Sequence, residues 1–67
     1  MLQPATPKRL LTIDEAARVL SISRSSCYRL VMAGALRSLK LGNLRRVRPE
    51  AIETFLNRAE KEQDEEV

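Results

Sequence analysis

Only three residues, Ser21-Ile22-Ser23, separate two segments that each carry the marks of a helix, and no other stretch leaves the backbone so few choices. Upstream, Thr12-Ile13-Asp14-Glu15 fits a capping box: the Thr12 hydroxyl can accept from the Glu15 backbone N–H, and the Glu15 carboxylate can reach back. Ile13, Ala16, Ala17 and Leu20 then follow the i, i+3, i+4, i+7 spacing of one buried stripe, which predicts a helix over 13–20. Downstream, Ser23 is a good N-cap and Gly34 a natural left-handed stop, which predicts a second helix over 24–33. Cys27, Leu30 and Val31 form its inner stripe, and Arg24, Ser25, Tyr28, Arg29 and Met32 fall on the other side. Ile22 is expected to be buried and to fix the angle between the two. Short helices joined this tightly make a helix-turn-helix, with the second helix in the recognition position.

The rest of the chain completes a small domain. Leu36 to Leu41 alternates imperfectly between apolar and polar and is expected to be a strand. Gly42-Asn43 tolerates the positive φ of a tight hairpin turn, and Leu44 to Arg48 returns as the second strand, placing a hairpin at about 38–48. Pro49 suits the first position of a helix and Glu50 its first turn. Ile52, Phe55, Leu56 and Ala59 repeat the helical stripe, predicting a third helix over 49–59. The predicted fold is mainly α with a small β-hairpin: a winged helix-turn-helix over residues 10–59. It lies between a loose, proline-containing arm at 1–9 and an acidic tail at 60–67 that extends the third helix or frays.

Charge narrows the function. From Ser23 to Arg48 there are seven basic residues and no acidic one. Residues 1–59 hold 11 basic and 4 acidic side chains, a balance of +7, while residues 60–67 balance at −4, so the whole-chain value of +3 understates the body. A domain that gathers positive charge on a helix and an adjacent hairpin suits a polyanion, above all duplex DNA. Catalysis has little to work with, and no enzyme activity is expected. The chain has no His, its single Cys27 has no base to activate it and no partner for a CxxC metal site, and no Gly-rich phosphate loop is present. No cofactor or metal is expected. The apolar runs are too short for a membrane span or a signal peptide, so the expected setting is cytoplasmic.

Several pieces of the chain together resemble a known family. Leu11-Thr12-Ile13-Asp14-Glu15-Ala16-Ala17, then Leu20-Ser21-Ile22-Ser23-Arg24-Ser25, is similar to the opening of the excisionase-type, MerR-like DNA-binding domains. Tyr28-Arg29-Leu30-Val31, Gly34-Ala35-Leu36, Lys40-Leu41-Gly42, Arg46-Val47-Arg48-Pro49 and Phe55-Leu56 continue it in register over roughly 10–58. The resemblance implies a second helix that enters the major groove and a wing that lies along the backbone or minor groove. It implies an excisionase, or recombination directionality factor, of a phage or integrated element, or else a small transcriptional regulator. The long dimerisation helix and effector domain of full MerR regulators are not expected.

The candidate DNA-binding residues are Ser23, Arg24, Ser25, Ser26, Tyr28 and Arg29 on the recognition helix, and Lys40, Asn43, Arg45, Arg46 and Arg48 on the wing. Arg24 and Arg29 can each fork onto a guanine edge or clamp a phosphate. Ser25 and Ser26 can bond phosphate or base edges, or simply hold the first helical turn. Tyr28 can pack its ring against the wing while its hydroxyl reaches a phosphate. The plain alternative is a solvated helix face beside a hairpin whose charges keep its edge from pairing. Alternate strand residues face opposite sides, so Arg45, Arg46 and Arg48 cannot all point one way; Arg45 or Arg46 is expected at phosphate, and Arg48 can instead cap the third helix. The expected partners are double-stranded DNA, a site-specific integrase, and further copies of the chain bound cooperatively to closely spaced, directly repeated sites, with DNA bending. A different class remains open, a module whose basic face docks an acidic protein.

Overall fold

The structure, a computed structural model, describes residues 9–65, with side chains through Gln63. Most of the arm expected at 1–9, and Glu66 and Val67 of the tail, lie outside the described residues. Three helices and one hairpin follow in the order α1 (Ile13–Leu20), α2 (Arg24–Met32), β1 (Leu39–Leu41), β2 (Leu44–Arg46) and α3 (Pro49–Glu65). This is the mainly helical, winged helix-turn-helix arrangement that the sequence predicts.

Local chemistry sets the ends of each helix. The Thr12 hydroxyl accepts from the Glu15 N–H at 3.0 Å, and a Glu15 carboxylate oxygen accepts from the Thr12 N–H at 2.9 Å, so the capping box is complete. The Thr12 N–H bond holds the Glu15 carboxyl below its ordinary value, against an opposing push from burial and with help from Arg9. At the other end of α1, Ser21 adopts a left-handed conformation, φ 59°. The Ser21 N–H donates to Arg18 O, and Ile22 N–H to Ala17 O at 3.0 Å. That closed turn aims the chain directly into α2. Ser23 caps α2 by accepting from the Ser26 N–H at 3.0 Å. Gly34, at φ +83°, ends it: Gly34 N–H reaches Val31 O and Ala35 N–H reaches Leu30 O, the paired bonds of a Schellman motif.

The hairpin is shorter than expected. Leu36 is not in a strand; it lies in the turn after α2 with its side chain fully buried, and β1 starts only at Leu39. The irregular alternation had this cause: Leu36 points into the core before the chain straightens. The strands pair antiparallel, Leu39 with Arg46, Lys40 with Arg45 and Leu41 with Leu44. Gly42, at φ +64°, supplies the turn's positive φ, and Asn43 does not share it. β2 ends at Arg46 rather than Arg48. The next residue, Val47, leaves β1 and pairs instead with Leu11, through hydrogen bonds of 2.8 and 2.7 Å. This pairing stitches the segment before α1 to the base of the wing.

The core gathers Ile13, Ala16 and Ala17 from α1, Cys27 and Val31 from α2, Leu36, Val47 and Ile52. Two adjacent alanines let α1 and α2 approach closely, and burying a Leu or Val fully contributes roughly 1.5–3 kcal/mol each. Ile22, expected to be buried, is half-buried and packs against this cluster. Burial pushes the Cys27 thiol up, with Arg24 opposing, so it stays a protonated core group. Ile52 and Phe55 carry α3 onto the core, but Leu56 is exposed. The helix outruns the core, continuing to Glu65 on residues most of which have good intrinsic helix propensity.

Candidate nucleic-acid interface

The start of α2 and the return strand of the hairpin face each other across a cleft of about 280 Å³. Arg24 and Tyr28 line it from α2; Asn43, Leu44, Arg45 and Arg46 line it from the wing; Thr12, Ile13 and Asp14 close it from the start of α1. Helix geometry selects the two α2 residues. Successive residues turn by about 100°, so Arg24 and Tyr28 stack on one edge of the exposed face. Ser25 and Arg29 are exposed farther round and do not line the cleft.

Several side chains are held in place. The Arg24 Nε lies 2.7 Å from an Asp14 carboxylate oxygen, and both side chains are largely exposed. This contact is made through the Nε–H of the guanidinium. Arg45 Nη1 donates to Ser38 Oγ at 3.0 Å, and Arg46 Nη1 donates to the Arg45 carbonyl at 2.9 Å. Strand alternation alone would separate these two arginines, yet both line the cleft. The Ser23 hydroxyl donates to Ser26 Oγ at 3.0 Å, so both hydroxyls are engaged in the cap of α2.

The other candidates are dispersed. Lys40 is exposed and sits directly opposite Arg45, a like-charge pair that is unfavourable unless an anion lies against it. Arg48 is turned away from this cleft. It lines a second one, of about 500 Å³, with Arg37, Arg58, Glu50 and Phe55, while its carbonyl accepts from Ala51 N–H at the start of α3. The two clefts share no lining residue.

Sequence reasoning passed over Asp14, Leu44 and Ser38. Asp14 stood only as a member of the capping-box segment, and nothing local signals its pairing with Arg24. Leu44 was legible in principle, since residues flanking a two-residue turn are cross-strand partners.

Among the described residues no helix is long and apolar enough to cross a membrane, and no group of three or more His, Cys, Asp or Glu could hold a metal ion. What remains is an electropositive groove between a helix and a hairpin. Its lining offers the hydrogen-bond donors of Arg24, Tyr28, Asn43, Arg45 and Arg46, the chemistry that suits a phosphate strand.

Residues 10–60 match the family described as helix-turn-helix domain. The chain is also similar to a protein named "Probable excisionase" from Saccharopolyspora erythraea, with 41% identity over 49 residues. That alignment covers 73% of this chain and 50% of the relative, so the chain spans about half the length of the protein it matches. No solved structure matches the chain.

Proposed function

The chain belongs to the helix-turn-helix domain family, and from that premise we infer that it is a sequence-specific architectural DNA-binding protein, an excisionase that bends DNA and directs a partner integrase toward excision. The observation that carries the reading is the cleft itself. It brings Arg24 and Tyr28 of α2 to Asn43, Arg45 and Arg46 of the wing. With α2 in the major groove, the bordering phosphate strand lies in this cleft, clamped from the wing side by Arg45 and Arg46. Arg29 and Ser25, on the outer face of α2, are turned toward base edges. The excisionase assignment takes its support from the similar protein of that name. One helix and one wing read too few base pairs to define a genomic site, so several copies lie side by side on one DNA and share its bend.

Two measurements test this. Duplex binding followed against salt should show a steep loss of affinity, and Arg45→Ala or Arg46→Ala should each lower the slope by about 1. An unchanged slope in both variants and in the double variant removes the wing from the interface. Addition of the protein to an integrase and its paired attachment sites should raise excision over integration. If it instead alters only transcription from a nearby promoter, the chain is a regulator built on the same DNA-reading surface.

A further inference from the structure

Two leucines stand beside the turn of the wing. Leu41 and Leu44 flank the Gly42-Asn43 turn and are direct cross-strand partners, so their side chains leave the same face of the hairpin. They are 50% and 53% exposed and lie outside the core cluster. Behind them the ladder continues with Lys40 opposite Arg45 on the other face and Leu39 opposite Arg46 on the same face, so every charge on the hairpin is a cation. A hairpin that met only water or phosphate would gain nothing from two half-exposed leucines beside its turn.

We propose that Leu41 and Leu44 form a wedge that enters the minor groove of duplex DNA and opens one base step, making the wing tip the source of a kink. The proposal rests on the DNA-binding reading above and goes beyond it by assigning the residues that deform the duplex. If a phosphate strand occupies the cleft between α2 and the wing, the far side of that strand from the major groove is the neighbouring minor groove. Leu44 lines the cleft and so stands at this boundary.

Size and charge agree with that occupant. Two strands lie about 4.8 Å apart, and with a leucine on each the tip is too wide for a minor groove of about 6 Å. Entry therefore requires the groove to widen, which unstacking a step accomplishes while bending the duplex toward the major groove. The hairpin carries cations and no acidic residue from Leu39 to Arg46, so a polyanion is matched at the flanks while the two leucines meet base faces. Selectivity follows without any hydrogen bond to a base. Pyrimidine–purine steps unstack most cheaply, so the wedge favours sites that place one beneath the tip.

The experiment uses the full chain and a duplex of about 30 base pairs selected from a random pool by the wild-type protein, with a donor and an acceptor dye at its ends to read the bend. A second copy of the duplex carries 2-aminopurine in the central pyrimidine–purine step to read unstacking. Leu41→Ser/Leu44→Ser should keep the wild-type salt slope, because its phosphate contacts are intact. Its bend should fall to less than about half of the wild-type value, which for an apolar wedge lies in the range of roughly 20–90°. The 2-aminopurine signal and the preference for the flexible step should fall with it. Circular dichroism of the free variant confirms the fold, and the single variants Leu41→Ala and Leu44→Ala provide milder changes. An unchanged bend in the folded double variant overturns the wedge. So does a variant that bends one site normally but loses cooperativity between adjacent sites, which would assign the leucines to contact between neighbouring copies. Failure of the wild type to bind any duplex is a separate result, and it defeats the DNA reading itself.

Discussion

Asp14 is the one acidic side chain lining the cleft between α2 and the wing, and under the proposed function its pairing with Arg24 at 2.7 Å has two opposing effects. It orients the guanidinium through Nε, and it repels any phosphate that enters. An exposed pair of this kind contributes roughly 0–1 kcal/mol to stability, so the consequence lies in binding. A unit charge about 4 Å away in water is worth about 1 kcal/mol, or about a fivefold change in affinity. Asp14→Asn removes the charge and keeps an acceptor for Arg24. It should tighten binding to all duplexes by about fivefold at low salt with sequence preference little changed. Asp14→Ala should tighten binding similarly while narrowing the gap between specific and random DNA. Weaker binding to random DNA by the Asn variant, in a titration at fixed salt, would show that the carboxylate is not a brake. At this scale the sequence displays the residue types well. Arg24, Arg45 and Arg46 are legible because cations cluster there without acids. The Asp14 contact is not, because it depends on how two helices cross.

The elements are legible wherever a short chemical signature fixes an end. The Thr12–Glu15 box, the Ser23 cap, the Gly34 stop and Pro49 each act within a turn of themselves, and each stands in the structure where the sequence places it. The run of α3 to Glu65 follows one of the two courses that the sequence allows for the tail. Two features depend on tertiary context and were hidden: Leu36 leaves the strand pattern to fill the core, and Ser21 takes a left-handed conformation that Ser has no special preference for. The last is a strain that can be relieved. A left-handed residue other than Gly costs roughly 1–2 kcal/mol, and replacing it by Gly returns part of this as unfolded-state entropy. Ser21→Gly should therefore raise stability by up to about 1 kcal/mol in urea titration, with DNA affinity unchanged. A loss of stability would mean that the Ser21 side chain contributes more than its backbone costs. A gain in stability with a loss of affinity would mean that the strained turn sets the angle at which α2 is presented.

Across the whole molecule, the two hydrogen bonds between Leu11 and Val47 join points far apart in the chain, with the whole helix-turn-helix and hairpin between them. Hairpin formation is local and fast, but closing this long loop has an entropic cost that is recovered only when α1, α2 and the core have assembled around it. The wing is therefore formed early and seated late. Its tip can open by itself, whereas its base is released only when the domain as a whole comes apart. Amide hydrogen exchange should record this division. The Leu11 and Val47 N–H groups should exchange only through global unfolding and slow in step with any stabilising substitution. The Lys40 to Leu44 amides should exchange through small local openings and ignore it. In kinetic terms, one pair of backbone bonds makes the attachment of the wing as long-lived as the native state and leaves its point free to move on a faster clock.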